Sequence, residues 1–136
     1  MVLIVCIDDK NGMAFNGRRQ SRDSILCERI MSVVGEKRIC MRPDSAKLFS
    51  DYSMHICFVE VLGEAADNAD YYFAETDNPT QLLPMVDEVI VYRWNRTYPA
   101  DLYFPTELLC DGWSLVKTFD FPGNSHERIS EEVYRR

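Results

Sequence analysis

Apolar runs separated by polar stretches divide the chain into alternating elements. Val2 to Ile7 (VLIVCI) is apolar at every position, the pattern of a central strand covered on both faces. A polar loop follows, DDKNGMAFNGRRQSR, with turn signals at Asn11-Gly12 and Asn16-Gly17. From Asp23 to Val34 the spacing becomes helical: Leu26, Ile30, Val33 and Val34 make one apolar stripe, and Gly35 supplies a stop. Arg38 to Met41 predicts a short second strand. Pro43 through Phe49 predicts a brief helix, opened by Pro, Asp and Ser in the first turn. His55 to Val61 and Ala69 to Ala74 read as the third and fourth strands, and Pro79 to Val86 as one or two helical turns.

The stretch Val89 to Pro105 (VIVYRWNRTYPADLYFP) organises what surrounds it. It opens as a buried strand, carries aromatics and arginines through its middle, and closes on an Asp-x-x-Phe-Pro turn. Near the end, Trp113 to Phe121 and Arg128 to Tyr134 alternate like an antiparallel pair joined by PGNSHE. Early strands alternate with helices and the last two do not. That order predicts one α/β domain over residues 1–136, with a mostly parallel sheet finished by an antiparallel hairpin.

Charge narrows the classes of partner. The formal net charge is −7, from 22 acidic and 15 basic residues, which disfavours nucleic acid. Eleven arginines stand against four lysines, and Arg18, Arg19 and Arg22 crowd together; guanidinium groups suit a planar anion such as a carboxylate or phosphate. Five cysteines form an odd set without a CxxC pair, and read as reduced core thiols. With only His55 and His126, no metal site is expected. No apolar run reaches membrane-spanning length and the N-terminus reads as a strand, so a cytoplasmic protein without membrane contact is expected.

The order of parts resembles dihydrofolate reductase. The residues that carry the resemblance are LIVCIDD, a Gly-Met loop and an Asp opening the first helix, then QLLPMVDEVIVY, DLYFP, a Gly-Trp before a strand, and NSHE in the final hairpin. It spans nearly the whole chain and is strongest from about Gln81 onward. It implies a dihydrofolate-reductase-like mixed sheet with flanking helices, and an NADPH-dependent reduction in which a buried carboxylate supports protonation. By position that carboxylate is Asp23. Asp23 reads first, however, as a helix cap among Ser21 and Ser24, in which case its replacement by Asn costs no more than a cap, about 0.5–2 kcal/mol.

Other positions depart from the family pattern. A Pro-Trp pair that closes over the family's site is replaced by Arg18, Arg19 and Arg22, which suit anion capture or form a solvated basic loop. A Gly-Gly pair at the dinucleotide is replaced by Glu75-Thr76-Asp77, whose carboxylates would repel a pyrophosphate. Arg42 remains of a Gly-Arg pair at the cofactor, and Val59-Glu60-Val61 stands where small hydroxyl and basic residues hold the ribose phosphate. The chain is short around Leu62 to Asp70, where the family has a cofactor-binding loop. Tyr92 takes the place of a Thr that helps bind the pterin; it reads as a ligand donor or as a core tyrosine. Arg93, Trp94 and Arg96 form a stacking patch, or alternate with Trp94 inward. Asp101 matches a loop-latching Asp, and His126 a turn residue without catalytic duty.

Two function classes follow. In one, the scaffold binds an anionic small molecule or a protein partner and has no cofactor or reductase activity. In the other, it is an NADPH-dependent reductase of dihydrofolate or a related heterocycle using Asp23. A homodimer with Trp94 and neighbouring aromatics at its interface is a third expectation.

Overall fold

β1 (Val2–Ile7) runs through the middle of the sheet with Leu3, Ile4, Val5 and Ile7 wholly buried, as a strand apolar at every position requires. It pairs in parallel with β6 (Tyr71–Ala74) on one side and β7 (Glu88–Arg93) on the other. Beyond β6 lie β4 (Arg38–Met41) and the edge strand β5 (His55–Phe58), both parallel. Beyond β7 lies an antiparallel hairpin, β10 (Ile129–Arg135) and then β9 (Ser114–Phe121). The full order is β5-β4-β6-β1-β7-β10-β9. This computed structural model describes residues 1–60 and 69–136. Val61, expected to end the third strand, and Leu62 to Asn68 of the shortened region fall outside the described residues.

Both faces of the sheet are covered. On one, α1 (Ser24–Val34), the short α2 (Pro43–Ala46) and the 3₁₀ turn Lys47–Phe49 pack over Ile4, Ile39, Met41, Phe73, Ile90 and Tyr92. On the other, a 3₁₀ helix, Pro79–Met85, places Leu82 and Leu83 against Leu3, Val5, Val89 and Val91. The alternation of a two-residue period sends odd and even positions of β1 and β7 to opposite layers. Trp94 follows that alternation inward and is buried, whereas Arg93 pairs with Glu132 at 2.7 Å and Arg96 is exposed. Trp94 is therefore part of this chain's own core.

The polar stretch after β1 is not a plain loop. It forms β2 (Gly12–Phe15) and β3 (Arg18–Arg19), which join β8 (Leu102–Tyr103) in a second, three-stranded sheet. Asn16 and Gly17 both have positive φ (56° and 73°), and Phe15 pairs with Arg18, so Asn-Gly is a two-residue hairpin turn. Strands of two to four residues are too short for their periodicity to show in the sequence.

Under α1, the β10 carboxylate Glu131 is buried and receives two bonds from Arg29, at 2.8 and 2.9 Å, and one from the Tyr92 hydroxyl at 2.8 Å. Burial alone would raise the Glu131 pKa, but these donors hold it below the usual carboxylate range. Burial and the neighbouring carboxylate push the Tyr92 phenol well above its ordinary value. This trio ties helix to hairpin. In urea unfolding, Arg29→Ala is expected to cost about 3 kcal/mol by stranding a buried charge, with Lys117 at 3.7 Å softening the loss. Tyr92→Phe, which leaves the ion pair intact, is expected to cost only about 1 kcal/mol.

Candidate functional site

The chain leaves β1 toward β4, whereas from β6 it crosses to β7 on the far side of β1. In such sheets the ligand crevice lies beyond the carboxyl ends of the diverging strands. Here that region carries paired charges of the protein's own. At the end of β6, Glu75 is buried and receives Arg19 Nε at 3.1 and 3.2 Å, Arg19 Nη2 at 3.1 Å and the Ser45 hydroxyl at 2.7 Å. Arg19 also donates to the Asp44 carbonyl at 2.7 Å. Beyond β4, Arg42 pairs with Asp77 at 3.2 Å.

These pairs revise two expectations together. Glu75 and Asp77 are not free to repel an anion, because each is matched by a guanidinium. Arg19 and Arg42 are engaged for the same reason, one with a buried carboxylate and the other in a more exposed pair. Arg18, Arg19 and Arg22 do not all meet at one place: Arg19 lines a depression with Arg18 and a separate cleft with Arg22. Arg18 lies in a shallow depression with Phe15, Gln20 and Tyr98, while Arg22 faces a cleft of about 530 Å³ between the start of α1 and the Lys47–Phe49 turn. Arg19, Lys47, Ser24, Cys27, Ser50 and Asp51 also line that cleft, together with Asn124 of the hairpin. Tyr92 is not among its lining residues; its hydroxyl belongs to Glu131.

Asp23 is the N-cap of α1, and its Oδ1 accepts from the backbone of Ile25 at 2.9 Å and Leu26 at 3.4 Å. The same carboxylate reaches across to the hairpin turn. It accepts from Asn124 N at 2.9 Å, Ser125 N at 2.8 Å and the Ser125 hydroxyl at 3.3 Å. His126 Nδ1 stands 3.0 Å from Oδ2, and the His126 ring stacks on Trp94 with centroids 4.5 Å apart. With the proton on Nδ1, the imidazole donates to Asp23 and its Nε2 accepts from the Tyr98 hydroxyl at 2.9 Å. Ser21 Oγ also lies 3.2 Å from Nε2, giving a Ser-His-Asp order. It is not a nucleophilic triad: the imidazole is buried, and Tyr98 competes for the nitrogen that would activate the serine.

Burial would raise the Asp23 pKa; the Asn124 amide, His126, and the Ser125 and Leu26 amides outweigh it and set it far below the usual carboxylate range. A carboxyl so held does not carry a proton to donate near neutrality. One turn into α1, the side chain lining the cleft is Cys27, whose thiol burial pushes up to about 11. The thiol is therefore neutral at neutral pH.

A further buried carboxylate, Asp8, was not visible as such in the sequence. It accepts from the backbone of Lys10 and Gly12 at 2.8 Å, from Tyr98 N at 3.1 Å and from Gln20 Nε2 at 3.0 Å. Burial opposes ionisation there as well, but the Gly12, Tyr98, Lys10 and Gln20 donors lower its pKa. The Asp-Asp-Lys-Asn-Gly run after an apolar strand was the available signal, since an Asp there readily turns the chain. Asp101 accepts from Asn16 N at 3.1 Å, the loop contact expected of it.

No protein-family model matches the chain, and no curated protein matches it. Among matching solved structures is dihydrofolate reductase from Enterococcus faecalis, complexed with NADP(H) and RAB-propyl. It superposes with a TM-score of 0.70 over 99% of this chain and 95% of that one. The fold is dihydrofolate-reductase-like. Sequence identity is 13%, so the likeness concerns the dihydrofolate-reductase-like backbone and not the residues placed on it.

Because the folded-state pKa of Asp23 is depressed, its stabilisation is complete above the unfolded value, about 3.9, and is lost as pH falls toward the folded one. Asp23→Asn is expected to cost about 2–4 kcal/mol at pH 7, more than a cap alone, because hairpin bonds are weakened with the helix bonds. Chemical denaturation at a series of pH values should show that difference shrinking below about pH 4. Gly123→Ala should act through the same contact, since a Cβ there would lie 2.5 Å from Asp23 Oδ2.

Proposed function

We propose that the chain is a binding protein on a dihydrofolate-reductase-like scaffold, taking an anionic small molecule in the cleft between α1 and the Lys47–Phe49 turn, without NADPH-dependent reduction. The observation that carries this reading is the Arg19–Glu75–Ser45 cluster at the carboxyl end of β6. Its side chains satisfy one another. A dinucleotide that displaced Arg19 would leave the buried Glu75 carboxylate without its cation, which is unfavourable before any contact is gained. Asp23 supports the reading too, because its lone pairs are committed to the helix and the hairpin.

Arg22 and Lys47 are the cations offered to an anion at the cleft. Arg22 has no ion-pair partner among the described residues, and the exposed contact between Lys47 and Asp44, at 3.4 Å, is easily exchanged. Leu48 and Cys27 supply an apolar wall beside them, so a carboxylate or phosphate carried on a small apolar body fits this lining. A protein partner presenting a carboxylate would use the same cations. The reductase reading, with Asp23 and NADPH, draws on one observation, the NADP(H) in the structural neighbour's complex.

Titration with NADPH, read by tryptophan fluorescence and thermal shift, separates the two. No saturation at millimolar NADPH is expected; saturable binding at micromolar levels would restore the reductase reading. Inorganic phosphate is expected to raise the melting temperature of the wild type, and Arg22→Ala to abolish that rise without lowering the melting temperature itself.

A further inference from the structure

Cys40 and Cys57 are seventeen positions apart in sequence, but the parallel pairing of β4 with the edge strand β5 sets them directly opposite one another. Opposed residues on paired strands point to the same face, and both side chains join the same apolar layer. Paired strands run about 4.8 Å apart, inside the Cα separation of about 4.4–6.8 Å that a disulfide spans. The two differ in access. Cys40 is wholly buried and Cys57 is half-buried on the edge strand. Burial, followed by its hydrogen bond with Cys57, pushes the Cys40 thiol up to about 12, which keeps it protonated. Arg38, one position before Ile39 on β4, extends its Nη2 to Cys57 Sγ at 3.1 Å. A fixed positive charge therefore stands beside the accessible sulfur, where it stabilises negative charge developing during reaction.

We propose that Cys57 and Cys40 form a dithiol modification site, in which Cys57 is the attacking sulfur and Cys40 the resolving one, reacting with low-molecular-weight disulfides. The Cys57 thiol gives up its proton to solvent and its sulfur attacks one sulfur of the disulfide, forming a mixed disulfide and releasing the other half as a thiolate that takes up a proton from solvent. Cys40 then attacks Cys57 Sγ. Its proton goes to the departing thiolate, and the second half of the reagent leaves as a thiol. The two protein thiols are oxidised to one disulfide while one reagent disulfide is reduced to two thiols. The product clamps β5 to β4. Arg38 is a positioning residue for the first step.

Glutathione disulfide is the probe, applied to protein carrying Cys110→Ser, because Cys110 is the exposed thiol that would otherwise react in parallel. Intact mass and peptide mapping after alkylation are expected to show a product lighter by two hydrogens, with a Cys40–Cys57 crosslink. Cys40→Ser is expected to stop at the glutathione adduct on Cys57, and Cys57→Ser to remain unmodified. Arg38→Gln is expected to slow the first step by about tenfold while leaving the melting temperature close to wild type. An adduct on Cys57 that never resolves with Cys40 present would overturn the proposal. So would equal reactivity in Cys57→Ser.

Discussion

One carboxylate holds the two halves of the candidate site together. Asp23 closes the first turn of α1 and, with its remaining lone pairs, the turn between β9 and β10. An aspartate buried there without partners would be costly; with backbone amides converging on it, it joins segments a hundred residues apart in sequence. The imidazole of His126 adds a fixed donor, and its stacking on Trp94 extends the junction to the end of β7. Gly123 is required for the approach, because there is no room for a side chain against Asp23.

The same economy governs the strand ends. The chain has eleven arginines, and Arg19, Arg29, Arg42 and Arg93 each pair with a carboxylate. Two of those carboxylates, Glu75 and Glu131, are buried, so their arginines are structural in the sense that removing either leaves an uncompensated charge. Arg18 and Arg22 face solvent in different depressions, the second being the cleft between α1 and the Lys47–Phe49 turn.

How far the sequence disclosed this depends on range. β1, β4 and α1 were legible because local periodicity and end signals agreed: VLIVCI has no polar position, and Asp23 and Gly35 bracket an apolar stripe. The final hairpin was legible for the same reason. The second sheet was not, since its strands are short and the pattern is lost within a polar loop. The site was legible only in part. Asp23 was visible as both a cap and an acid, and local sequence does not report the hairpin amides that bind its carboxylate. Glu75 and Arg19, or Cys40 and Cys57, meet through strand order, which no local pattern encodes.

The central claim is that Asp23 is an anchor and not an acid. Its carboxyl carbon can be followed by NMR across pH in labelled protein. The structure predicts that Asp23 stays ionised at every pH at which the fold persists, including values below the ordinary carboxylate range. Protonation of Asp23 at or above that ordinary range, with the hairpin amides of Asn124 and Ser125 still in their folded environment, would contradict it and return Asp23 to the role of a proton donor.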